Sequence, residues 1–248
     1  MNAKFLLFAL FLFGFSCSSP NKEPASSQES QTLFQIVDDQ KLTADEGTLR
    51  EIHFTELWTW EYLNDEEEWN ELWIYREPIL NYWLFDKSSS YGVTSEMCEW
   101  VVATPEGKYW FNCQDAEMGA VKTLHQQTIA FDSASSLPEF WEETEEEKEF
   151  GDTAQGFGTF KGKGYSADFR GQKKTSRFFL HMGDIDMRPV YYFNFLEGDG
   201  KLPITFPTGI PDQAVVLSEN TDIESHNIRI RYRFKDISPN SYYVELPE

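Results

Sequence analysis

The chain has 248 residues, with 42 Asp and Glu against 21 Lys and Arg, a net charge of −21. Its 40% hydrophobic and 16% aromatic content suits a folded core and excludes a disordered acidic tail. The charge excludes a general nucleic-acid binder, because phosphate recognition needs clustered Lys and Arg.

Lys4 precedes the nine apolar residues Phe5 to Phe13, and Gly14-Phe15-Ser16-Cys17 follows. A charged start, a short apolar run and small residues before a cut describe a secretory signal over residues 1–16. Nine apolar residues fall short of the about 20 that a helix needs to cross a bilayer. The segment up to Cys17 resembles a bacterial lipoprotein signal of the relaxed Bacteroidota type. Ser16 is the small residue before the cysteine, while Phe15 is bulky and Gly14 stands where Leu is usual. The resemblance covers residues 1–17 only. It implies that Cys17 is acylated and anchors the protein in the cell envelope, periplasm-facing or surface-exposed, on the outer membrane. The other reading is ordinary cleavage after Ser16, which releases a soluble protein with Cys17 at its N-terminus. Residues 17–32 are rich in Ser, Pro, Asn, Gln and Glu without hydrophobic periodicity, the composition of a flexible tether.

From residue 33 the pattern is mostly period two, which predicts strands. Ile52, Phe54, Trp58, Trp60 and Tyr62 share one face of 50–63, and further strands are expected at 70–76, 79–85, 97–103, 108–113 and 121–131. The second half continues with 157–169, 176–182, 188–196, 213–218, 227–235 and 241–246. Two short helices are candidates. Residues 137–148 carry Pro138 early and an apolar face of Leu137, Phe140 and Trp141. Residues 64–75 read equally as a helix capped by Asn64 or as a hairpin. The expected fold is mainly β, an antiparallel sandwich or barrel-like architecture over 33–248, as one domain or divided near 132–155.

Cys98 and Cys113 lie in two aromatic runs around the turn Thr104-Pro105-Glu106-Gly107. A four-residue loop there sets Ala103 opposite Lys108, Trp100 opposite Phe111 and Cys98 opposite Cys113, within reach of a disulfide. Export favours that bond. The same register puts Trp100 and Trp110 on opposite faces. Gly156, Gly158, Gly162 and Gly164, evenly spaced, put glycine along one strand face, where bends or close backbone approach occur. They are not a phosphate loop, since no Lys-Ser/Thr and no helix follow.

Residues 33–150 hold 27 acids and 7 bases, and residues 151–248 hold 13 and 12, so nearly all the charge lies in the first half with all eight Trp. Two runs dominate, Asp65 to Glu68 and Glu142 to Glu147, which read either as a solvated loop and a solvated helix face or as a patch that attracts Ca2+ or a basic partner. Opposite in sign, Arg229, Arg231, Arg233 and Lys235 alternate with Ile228, Ile230, Tyr232 and Phe234, which places four cations on one strand face. That face is either a plain solvated surface, a ladder meeting the acidic half within the molecule or in a partner, or a seat for an anionic glycan.

Of the four histidines none stands at zinc-ligand spacing, and no nucleophile elbow is present. The most suggestive local site is His181-Met-Gly-Asp184-Ile-Asp186. There Asp184 and Asp186 converge on Ca2+, or one carboxylate works beside His181, unless the loop is ordinary turn chemistry. The function expected is that of an exported, lipid-anchored binding protein of the bacterial cell envelope, its ligand an envelope protein, a glycan or a peptide. One alternative is an envelope hydrolase built on His181, Asp184 and Asp186. Another is a structural envelope component without ligand.

Overall fold

The computed structural model describes residues 36–42, 49–87, 98–114, 122–152, 158–169, 173–196, 200–207, 209–224 and 227–247. The signal segment 1–16, Cys17 and the tether 17–32 lie outside them. The described chain is mainly β. Twelve strands join one antiparallel sheet: β1 Ile36–Leu42, β2 Leu49–Leu63, β3 Trp69–Glu77, β4 Tyr82–Asp86, β5 Cys98–Ala103, β6 Lys108–Gln114, β7 Lys122–Ile129, β8 Glu142–Phe150, β9 Phe160–Phe169, β10 Lys174–Met182, β11 Ala214–Ile223 and β12 Ile228–Pro247. Their order is β1-β7-β6-β5-β4-β3-β2-β12-β11-β10-β9-β8. Two meanders, β2 to β7 and β8 to β12, are thus sealed along β2 and β12, and β1 returns beside β7. The sheet is not closed into a barrel, because β1 and β8 remain its edges.

Alternation places two apolar layers on opposite faces of β4 to β6. Trp83, Phe85, Val101, Ala103, Tyr109 and Phe111 belong to the main core, with Trp58, Trp60, Leu72 and Ile74. Leu84, Trp100, Val102 and Trp110, the intervening residues, face the other way and are covered by Ile52, Phe54, Val244 and Leu246 from the outer ends of β2 and β12. Here the fold is locally a sandwich. The main core is filled from the other side by the connection between β10 and β11. That segment carries helix α1, Arg188–Tyr191, and a single 3-10 turn, Phe193–Phe195. Its Val190, Phe193, Leu202, Ile204 and Phe206 are buried. Trp58, Trp60 and Trp83 are wholly buried, which in transfer terms contributes about 4–6 kcal/mol each.

The long strand β12 bends through two bulges, after Phe234 and after Pro239. Each inserts one residue and switches the buried parity, from Tyr232 and Phe234 to Ile237 and then to Val244 and Leu246. The two strands expected at 227–235 and 241–246 are therefore one.

Several expectations are corrected. Residues 137–148 do not form a helix: one turn, with the Trp141 amide donating to the Pro138 carbonyl at 3.0 Å, leads into β8. Pairing with β9 overrides the helix propensity of the glutamates, and Gly162 and Gly164 allow it. A Cβ on Gly164 would lie 2.5 Å from Thr144 Oγ1 of β8. Residues 188–196 are helical instead of extended. Pro189 stands in the first turn and the Asp186 carboxylate accepts the Arg188 amide at 3.0 Å, so the aromatic run there packs as a plug. Residues 64–75 are a hairpin. Asn64 Oδ1 accepts the amides of Glu66 and Glu68, and Glu67 adopts φ 61°.

The β5–β6 register also differs by one. Gly107 at φ 83° makes a three-residue loop closed by Thr104 and Lys108, so Val102 faces Trp110 and Trp100 faces Asn112. A bulge at Glu99 then returns Cys98 to Cys113. The two sulfurs are within bonding distance, and Trp100 and Trp110 share a face.

Candidate functional site

The outward face of β3, β2, β12 and β11 gathers the residues with most to offer a ligand. Parity sends Arg229, Arg231, Arg233 and Lys235 outward from β12 while Tyr232 and Phe234 go to the core. Across β12, β2 and β3, Arg233, Glu61 and Glu71 stand directly opposite one another. Each cation of the ladder meets an acid. Arg233 lies 2.7 Å from Glu61, Lys235 bonds Glu71 and lies 3.8 Å from Glu61, Arg231 lies 2.7 Å from Asp222, and Arg229 lies 3.4 Å from Glu67. The Lys235 ammonium holds the Glu71 carboxyl below its ordinary range, and Glu71 in turn raises Lys235. The cationic strand therefore meets acids within the molecule, Glu61, Glu67 and Glu71 from the first half and Asp222 from the second, and these four balance its four positive side chains.

Two tryptophans stand in this ladder. Trp69 is 50% exposed and Trp73 37%, high values for the largest side chain. Neither is loose. The Arg233 guanidinium lies 4.8 Å from the Trp69 ring, and the Trp73 indole donates to Glu71 Oε2 at 2.9 Å. At the hairpin end the face runs into a cleft of about 720 Å3, lined among others by Asp65, Glu67, Asp222, Glu224 and Arg229. A small anion placed on the ladder would compete with carboxylates already at contact, whereas a neutral surface with fixed aromatics suits a partner that covers both indoles.

The His181 loop is organised differently. Asp186 grips Arg188 through both carboxylate oxygens, at 2.6 to 3.2 Å, and Arg188 also reaches Asp212 at 3.4 Å and packs on Phe131. The Asp186 carbonyl accepts from Asn81 Nδ2 and Trp83 Nε1. His181 donates through Nδ1 to the Lys161 carbonyl at 3.0 Å and packs against Phe160, while Asp184 is exposed. These contacts pin the plug to the sheet. Among the described residues no three His, Cys, Asp or Glu side chains gather where a metal ion could be held.

No protein-family model matches the chain, and no curated protein is similar to it.

Two buried charges escape a reading by motif. Arg76 follows Leu72 and Ile74 on the inward parity of β3, lies against Trp58 and Trp83, and donates to Glu56 at 3.2 Å and Asn81 at 3.0 Å. Burial lowers its pKa, and Glu56 offsets part of that. Glu219 stands on the inward parity of β11, opposite Tyr232, and accepts from Thr221 at 2.7 Å. The available signal for both is a charge at a position whose neighbours two residues away are buried.

Proposed function

We propose that the chain is an exported, lipid-anchored binding protein of the bacterial cell envelope, and that its partner is a protein docking on the Trp69 and Trp73 face. The observation that carries this reading is the pair of exposed, immobilised indoles within an internally neutral charge ladder. Trp and Arg are the residue types that dominate binding energy at protein interfaces, and side chains already held in place lose little entropy on binding. The neutral ladder favours a protein over an anionic glycan, whose phosphates, sulfates or carboxylates would need uncommitted cations. The lipid anchor rests on the resemblance of residues 1–17 to a lipoprotein signal, which supports an envelope location for such a surface.

The test is a photo-crosslinking amino acid introduced at Leu63, directly opposite Trp69, or, as a control on a different strand of the sheet, at Arg177, in the anchored protein in whole cells. The expected result is one discrete protein adduct from position 63, retained in about 0.5 M salt because no net charge drives it, and none from position 177. Adducts of equal yield and identity from both positions would overturn the reading.

A further inference from the structure

We infer that the protein docking on the Trp69 and Trp73 face is a second copy of the same chain, packed face to face about a two-fold axis that runs along the strands between β2 and β12. The inference rests on the docking reading above and names its partner. Registers set Glu71, Glu61, Arg233 and Ser218 in one row across β3, β2, β12 and β11. Two residues along, the same strands carry Trp69, Leu63, Arg231 and Asn220 on the same face. The face is thus built in columns: indoles and an acid on β3, an acid on β2, cations on β12 and short polar side chains on β11.

A half-turn about the gap between β2 and β12 lays β2 of one copy on β12 of the other, and β3 on β11. Glu61 then faces Arg233 of the second copy, and Arg233 faces its Glu61, so four charges of alternating sign close around the axis. Trp69 comes over Asn220 and Glu71 over Ser218, which sets the bulkiest column against the shortest. A two-fold contact repeats each pairing twice, so only a face complementary to itself can form one. An axis laid across the strands along that row would set Glu71 on Glu71 and Arg233 on Arg233, which like-charge repulsion disfavours. Sheet twist turns β9 and β10 away from the second copy, which leaves position 177 outside the contact.

Charge also selects this face for self-association. The chain carries −21 in all, so its acidic surfaces repel a second copy, and β8 alone presents six exposed glutamates. Here Arg229, Arg231, Arg233 and Lys235 are matched by Glu67, Asp222, Glu61 and Glu71, and the local balance lets two acidic bodies approach. Four strands by the run 229–235 span about 19 Å by 20 Å, at the small end of specific interfaces. The pair is therefore weak in free solution, and copies anchored on one membrane meet at a raised effective concentration.

The test expresses two differently tagged copies together as anchored proteins in whole cells, each with the photo-crosslinker at Leu63, and measures the adduct that carries both tags. The wild-type pair is expected to give it. Glu61→Lys in both copies makes the charges at the axis all positive, and Arg233→Glu in both makes them all negative. Each pair should lose the two-tag adduct by at least about tenfold. Glu61→Lys in one copy with Arg233→Glu in the other sets two cations against two anions, and should restore the yield to within about threefold of wild type. A position-63 adduct with a different protein, and none with both tags, would overturn the second copy and leave the docking reading standing, whereas no adduct of any kind would overturn both. Undiminished yield from the like-charged pairs, or no recovery in the mixed pair, would overturn the two-fold packing and the inference with it. Melting curves show which variants fold, and the wild-type pair decides between a second copy and another protein even if one does not.

Discussion

Glu219 lies on the inward face of β11 with 7% of its surface exposed, between Phe178 of β10 and Tyr232 of β12. Burial holds its carboxyl above the ordinary glutamate range, and the hydroxyls of Thr221 and Tyr232 with the Lys174 charge offset only part of that. The folded chain therefore binds this proton more tightly than the unfolded chain. The resulting contribution to stability is fully present below the unfolded value of about 4.3 and is lost as pH rises through the raised folded value. Glu219→Gln should then melt at a higher temperature than the wild type at pH 7.5, with the difference closing near pH 4. Melting curves at the two pH values check this, and a difference independent of pH would show that the carboxyl is not the source. Residues of this kind were half legible. The anomaly of a charge at a buried parity is visible in the linear chain, but its partners, Thr221 two residues away and Tyr232 across the sheet, appear only with the β11–β12 register.

At the scale of elements, alternation of apolar residues located most strands, because one inward face suffices to impose period two. It failed where a local rule competed. In β12 the bulges reset the parity, so Pro239 reads as a break in sequence although the strand continues past it. In 188–196 the aromatic density of a plug imitates a strand, and the decisive signs were Pro189 and the Asp186 carboxylate at the start of a turn. In 142–150 glutamates favour a helix by propensity, whereas glycines on β9 admit a close edge strand. The β5–β6 hairpin turned on one glycine. Gly107 adopts φ 83°, its carbonyl accepts the Ile129 amide at 2.9 Å, and a Cβ there would overlap the Ile129 carbonyl oxygen. Gly107→Ala combines left-handed strain of about 1–3 kcal/mol with loss of a hydrogen bond of about 1 kcal/mol. It should lower Tm by roughly 5–10 °C; an unchanged thermal melt would contradict this account of the hairpin.

For the whole molecule, the concentration of acid in the first half has two structural outcomes. On β8, at one edge of the sheet, Glu142, Glu143, Glu145, Glu146, Glu147 and Glu149 are exposed, with Lys163 at 3.2 Å from Glu143 and 3.9 Å from Glu147. A charged edge discourages chance pairing with another chain. In the middle of the sheet, Glu61, Glu71 and Glu67, with Asp222 of β11, meet the basic side of β12, which converts a strand of four cations into a balanced surface carrying Trp69 and Trp73. The ladder was legible as a strand face, but its neutrality was not, since β2 and β12 lie at opposite ends of the described chain. The docking claim is tested most directly by Trp69→Ala with Trp73→Ala in the anchored protein carrying the crosslinker at Leu63. The account predicts a melting temperature within about 3 °C of the wild type, as for surface positions, and loss of the position-63 protein adduct, each indole contributing about 2 kcal/mol or roughly 30-fold in affinity. An undiminished adduct from a folded double variant would contradict it.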